Sequence, residues 1–186
     1  MEEIYSEIAE RTGGNIYIGV VGPVRTGKST LVKRIMEELV IPAIDDPYRL
    51  ERARDELPQS GSGKTIMTTQ PKFVPSEAAQ VFLQEQTAVR VRMVDSVGYL
   101  VKGALGSTEG ESQRMVHTPW FDQDIPFEQA AEIGTRKVIT DHATIGMVVT
   151  TDGSIADLPR SAYVEAEDRV ISELQALGKP FVIVLN

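Results

Sequence analysis

Ile16-Tyr17-Ile18-Gly19-Val20-Val21-Gly22-Pro23-Val24-Arg25-Thr26-Gly27-Lys28-Ser29-Thr30 reads as an apolar strand that runs into a glycine-framed loop and then into a helix. Gly22, Gly27, Lys28 and Ser29 meet the spacing G-x-x-x-x-G-K-[ST] of a Walker A phosphate-binding loop. Each residue type has a physical reason to be there. Gly22 leaves the strand where a side chain would block the turn, and Gly27 lets the backbone approach an anion closely. The loop N–H groups and the first turn of the helix starting near Lys28 present their positive ends to phosphates. The candidate phosphate-binding residues are therefore Gly22, Arg25, Thr26, Gly27, Lys28, Ser29 and Thr30. Lys28 is expected to reach the β- and γ-phosphates, and the Ser29 hydroxyl to be a Mg²⁺ ligand. A glycine turn that binds nothing is the bland alternative, and it leaves the full motif between strand and helix unexplained.

Outward from this stretch, the 186 residues suffice for one domain with a sizeable core, and no linker of biased composition divides them. With 27 acidic and 19 basic residues the net charge is −8, which argues against a nucleic-acid partner. There is no cysteine, hence no disulfide and no thiolate metal site. The acidic start lacks the basic and apolar regions of a signal peptide, and no apolar run reaches membrane-spanning length, so a cytosolic protein without a direct membrane span is expected. Phe181-Val182-Ile183-Val184-Leu185-Asn186 closes the chain with a run typical of strands buried on both faces, which suggests a domain truncated at its C-terminal end.

Residues 2–12 form an amphipathic helix candidate closed by Gly13-Gly14. After the loop, Leu31, Val32, Ile35, Met36 and Leu39 recur at helical spacing, so that helix runs to about residue 40, where Pro42 stops it. Residues 41–64 read as a mobile insertion with a short helix from Pro47 to Glu56. Ala79 to Leu83 and Val89 to Asp95 are strands whose short connection suits an antiparallel hairpin. Residues 96–126 have no period and read as a long functional or disordered loop. A helix from Phe127 to His142 with a break at Gly134, a strand from Ala143 to Thr151, an Asp152-Gly153 turn, a helix from Ala162 to Leu177 and the last strand complete the chain. This order predicts an α/β fold, a mostly parallel sheet with one antiparallel hairpin strand and helices on both faces.

Asp95-Ser96-Val97-Gly98 matches D-x-x-G after an apolar strand. A strand-end Asp95 there would hold Mg²⁺ through water while the Gly98 N–H faces the γ-phosphate. Tyr99 follows in place of the Gln that orients water in many GTPases, so hydrolysis must use something else or be slow. Arg25 is a permanent cation inside the loop and could neutralise charge developing between the β- and γ-phosphates; pointing to solvent or to a neighbouring subunit are its other readings. Thr68 and Thr69 stand where a switch segment supplies a hydroxyl to Mg²⁺ and the γ-phosphate, Thr68 being preferred, while two residues entering a strand is the other reading. Gly61-Ser62-Gly63-Lys64-Thr65 imitates a second phosphate loop but has Pro58 at the first glycine position and no strand before it. It reads as a flexible switch loop. His117 and His142 lack a second ligand at metal spacing, and Trp120 reads as an anchor in core or loop. A guanine-reading [NT]-K-x-D motif would begin at Asn186, where the chain ends, so the residues alone leave the base open.

Taken together, Glu10 to Gly14, Gly19 to Gly22 with Val24 to Thr30, Asp55 to Ser60, Gly63 to Thr69, Pro71 to Pro75, Val97 to Tyr99, Ala130 to Ile139 and Thr150 to Gly153 resemble the N-terminal ATPase domain of the stage IV sporulation protein A family. The resemblance spans nearly the whole chain. It implies a three-layer P-loop fold related to translation-factor GTPases, with ATP and Mg²⁺ as ligands. It also implies that Lys28, Asp95 and Thr68 are the Walker A lysine, Walker B aspartate and sensor threonine. By the same resemblance, hydrolysis drives self-assembly of a polymer of the spore coat, in the mother-cell cytoplasm at the forespore surface. Other coat proteins, and a small membrane-anchoring coat protein, would be partners through a C-terminal region absent here. The competing reading is a nucleotide-dependent switch or scaffold, for GTP or ATP, that hydrolyses little.

Overall fold

The computed structural model describes residues 13–58, 70–83, 87–104, 108–109, 112–155 and 158–186. The helix candidate over 2–12, the 61–65 stretch, Thr68 and Thr69 lie outside the described residues.

The main sheet has five strands: β1 (Asn15–Val21), β2 (Lys72–Leu83), β3 (Thr87–Asp95), β8 (Ile145–Thr150) and β9 (Phe181–Leu185). Their order is β2-β3-β1-β8-β9, with β2 antiparallel to β3 and the other neighbours parallel. The expected mixed sheet is thus present. Alternation of side chains sends Val20, Met93 and Val149 to one face and Val21, Val94 and Val148 to the other, each into a separate buried cluster. The first face is covered by α1 (Lys28–Ile35) and α2 (Pro47–Asp55), the second by α3 (Phe127–Lys137) and α4 (Val164–Ala176). A core on each side of the sheet makes the three layers.

α1 continues through a π-helical turn, Met36–Val40, into a 3₁₀ turn, Ile41–Ala43, that contains Pro42. The proline has no N–H to continue the ladder, which is why the helix ends there. The hairpin strands are longer than the alternation suggests, and β2 carries an irregularity between Val74 and Ala79. Glu56, at the end of α2, accepts from the Ser76 N–H at 2.7 Å and from the Ser76 hydroxyl at 2.5 Å, and Arg52 pairs with Glu77 at 3.1 Å. Asp46 caps α2 by accepting from the Arg49 N–H at 2.8 Å, and Ala53 is buried. The described part of the supposed mobile insertion is therefore fastened to β2.

Three other expectations change. α3 runs through Gly134 without a break and ends in a π-helical turn, Val138–His142. A Cβ on Gly134 would stand 3.2 Å from both Pro71 and Trp120, so the glycine serves close packing. The described parts of residues 96–126 hold two short ribbons, β4 (Thr108–Glu109) with β5 (Ser112–Gln113) and β6 (Met115–Val116) with β7 (Ile125–Pro126). Finally, among the described residues β9 stands last in the strand order, and its Val182, Ile183 and Leu185 are half-exposed or more. Its apolar run resembles that of an inner strand, and only sheet order distinguishes the two.

Candidate functional site

The parallel register pairs Val20 of β1 with Asp95 of β3, which brings the end of β3 beside the start of the phosphate loop. Both strands end on the same edge of the sheet, where parallel α/β sheets hold ligands. Gly22 has φ 136, and a Cβ there would lie 2.3 Å from the Val149 carbonyl oxygen, so no other residue fits. Gly27 has φ 89 and leads directly into α1, whose first N–H groups have no side-chain cap. Those N–H groups are the anion-binding feature of the motif.

Lys28, Ser29 and Asp95 converge. The Lys28 ammonium donates to the Pro23 carbonyl at 2.5 Å, and the Ser29 hydroxyl donates to Asp95 Oδ2 at 2.6 Å. Lys28 is only 4 % exposed and Asp95 2 %. Burial lowers the Lys28 pKa to about 8, against the opposing pull of Asp95. Burial also raises the Asp95 carboxyl, opposed by the Ser29 hydrogen bond and by Lys28 and Lys72. Lys72 stands directly across from Asp95 in the antiparallel pair. Asp95 Oδ1 is buried and has no hydrogen-bond partner among the described residues. An orphaned carboxylate oxygen beside a serine hydroxyl suits a hard, oxygen-loving cation.

Thr26 turns inward and donates to the Pro23 carbonyl at 3.0 Å. Arg25 is partly exposed and holds φ 63, an uncommon conformation for a residue with a Cβ. Thr30 is exposed on the first turn of α1. Gly98 reaches the site, since a Cβ there would stand 2.6 Å from Lys28 Nζ, but its N–H donates to Thr135 Oγ1 at 3.1 Å instead of being directed at a phosphate position. Phosphate-loop and β3-end residues are thus brought together, while the threonine expected from the switch segment, Thr68, lies outside the described residues.

Three contributors escape a reading of the sequence. Tyr99 is buried; its N–H donates to the Gly22 carbonyl at 3.2 Å and its carbonyl accepts from the Val24 N–H at 2.9 Å. Its hydroxyl donates to Glu173 at 2.6 Å and the Arg169 guanidinium stacks 4.2 Å from the ring centre, so the side chain faces away from Lys28 toward α4. Burial and Glu173 push the phenol pKa well above its ordinary value. Asn186 donates to the Thr26 carbonyl at 3.1 Å, while its backbone bonds Thr150 and Asp152, which braces the loop against the ends of β8 and β9. Thr135 is the third. Only the polar residue after an apolar strand, Asn186, leaves a sequence signal. His117 pairs with Asp124 at 3.4 Å and His142 packs edge-on to Phe73.

All 186 residues match the family described as stage IV sporulation protein A, ATPase domain. The chain is 60 % identical to stage IV sporulation protein A of Clostridioides difficile (strain 630) over 183 residues, 98 % of this chain and 37 % of that protein. Its identity is 58 % to the protein of that name from Bacillus subtilis (strain 168) and 56 % to that from Bacillus anthracis, each over 184 residues, 99 % of this chain and 37 % of the relative. The chain therefore spans between a third and two-fifths of the length of these relatives. No helix among the described residues is long and apolar enough to cross a membrane. With the phosphate loop, the buried lysine and the serine-aspartate pair set on a parallel sheet, and a match over its whole length, the chain belongs to the stage IV sporulation protein A ATPase-domain family.

Proposed function

We propose that this chain is the ATP-binding and ATP-hydrolysing unit of a spore coat morphogenetic protein, cleaving the β–γ phosphoanhydride to drive self-assembly of the basal coat layer. The observation that carries the reading is the Ser29–Asp95 contact at 2.6 Å beside a buried Lys28, within a chain of an ATPase-domain family. Ser29 and Asp95, with Thr68 from the switch segment, would hold Mg²⁺, which supplies Lewis-acid neutralisation of phosphate charge. Lys28 orients the β- and γ-oxygens. The N–H groups from Arg25 through Thr30 cradle the phosphates, and Arg25 supplies positive charge where it develops in the transition state.

The whole chain forms one domain on this reading. It works in the mother-cell cytoplasm at the forespore surface, and contacts with other coat proteins and a membrane-anchoring coat protein fall to sequence beyond it. Single-turnover hydrolysis of ATP and of GTP by one preparation, followed by light scattering, tests this. Cleavage of ATP, with GTP much slower, and ATP-dependent scattering are expected; equal or absent turnover with both would overturn it. Tyr99 favours a second reading, a nucleotide-dependent scaffold with little hydrolysis, because its buried side chain is committed to α4 and cannot orient water. Nucleotide binding without turnover in the same assay would select it.

A further inference from the structure

The residues that follow Asp95 send their polar groups to different places. The Ser96 hydroxyl donates to the Val20 carbonyl at 2.8 Å. Tyr99 is bonded through its own N–H and carbonyl to Gly22 and Val24. Both ends of the turn are thereby fastened to β1 and the phosphate loop. Between the anchors, the Gly98 N–H donates across to Thr135 Oγ1 on α3 at 3.1 Å, and Thr135 is fully buried.

Resting on the nucleotide reading above, we propose that Thr135 is a positioning residue that competes with the γ-phosphate of a nucleoside triphosphate for the Gly98 N–H. A buried N–H needs a partner, and a single N–H makes one well-aligned bond at a time. Gly98 lies against the lysine expected to reach the phosphates: a Cβ on it would be 2.6 Å from Lys28 Nζ and 2.4 Å from the Gly22 carbonyl. Its φ of 96 is open only to glycine, so this is also the residue with most backbone freedom in the turn. With Ser96 and Tyr99 held, rotation of the Val97–Gly98 peptide is the smallest movement that turns the N–H from α3 to a phosphate. A diphosphate leaves the bond to Thr135 in place; a triphosphate exchanges it and frees the hydroxyl on α3. The device reads the third phosphate through one hydrogen bond and transmits it to a helix outside the loop.

The test measures affinities of the chain for Mg-ADP and for a non-hydrolysable Mg-ATP analogue. Thr135→Val removes the acceptor while keeping the branched shape, so Gly98 loses its partner only when no γ-phosphate is bound. The preference for the ATP analogue over ADP should rise roughly 3- to 10-fold, as expected for one net hydrogen bond. Thr135→Ser, which restores the hydroxyl, should keep the wild-type preference. An unchanged preference in Thr135→Val overturns the proposal. In the wild type, the Gly98 amide resonance should move when the ATP analogue replaces ADP; coincident resonances overturn it without any variant. Failure of the nucleotide reading looks different, since neither nucleotide would then bind the wild type, and that result overturns both.

Discussion

Lys28 carries its charge in a place from which water is almost excluded, and this has a thermodynamic consequence. Its folded pKa is about 8 against 10.5 when exposed, so between these values the unfolded chain binds more protons than the folded one. Stability therefore rises with pH from about 8 to 10.5, and below 8 the buried charge costs on the order of 3 kcal/mol. Lys28→Met should raise the urea midpoint at pH 7 while abolishing ATP turnover, and its stability should rise less steeply than that of the wild type between about pH 8 and 10.5, since only the Lys28 contribution is lost. A slope equal to the wild type would assign the proton to another group. At Arg25 the backbone and the charge can be separated. Arg25→Ala should lower kcat by roughly 10³ with little change in KM, as for a lost arginine finger, and potassium should not stimulate the wild type. Arg25→Gly, which suits a φ of 63, should lose the same rate without loss of stability. Wild-type turnover by either variant in dilute protein would remove Arg25 from the chemistry.

Among the elements, the phosphate loop is held less by itself than by its neighbours. Tyr99 clamps Gly22 and Val24 through its backbone and ties them through its ring to α4, where Arg169 also pairs with Glu132 of α3. Asn186 after β9 holds the opposite side. Tyr99→Phe keeps the ring and the clamp and removes one hydrogen bond, while Glu173 retains Arg169 at 3.4 Å. Stability should fall by about 1 kcal/mol in urea unfolding, and single-turnover hydrolysis should stay within a few-fold of wild type. Complete loss of hydrolysis at unchanged nucleotide affinity would instead give the phenol a chemical role.

For the whole molecule, the phosphate loop joins the two cores: the strand before it feeds both, and α1 after it packs on one. A ligand seated there draws on both layers. Mg-ATP at a hundredfold excess over its Kd should add about 2.7 kcal/mol to the unfolding free energy and shift the whole domain in a single transition. Two separated transitions, with only one responding to nucleotide, would mean that α3 and α4 unfold independently of the site.

How much of this was legible in the sequence depends on the range of the interactions. Gly22, Gly27, Lys28 and Ser29 declare themselves because their spacing is local and each answers one requirement of a strand, a turn and a helix binding an anion. Periodicity likewise announces the strands, the helices and the stop at Pro42. Asp95 is also marked locally, by D-x-x-G after an apolar strand, but its place beside Val20 needs the parallel register and its neighbour Lys72 needs the antiparallel pairing of β2. Gly134 reads as a helix break until Pro71 and Trp120 are seen pressing on it. The apolar run of β9 cannot say where the strand stands among the described strands, because hydrophobicity reports composition and sheet order reports neighbours. Thr135, Tyr99 and Asn186 join the site across 37, 74 and 160 residues of chain from Gly98, Glu173 and Thr26. Local spacing along the chain names the chemistry to which the loop is suited, whereas the distant side chains that hold the loop meet it only when the sheet and its helices are assembled.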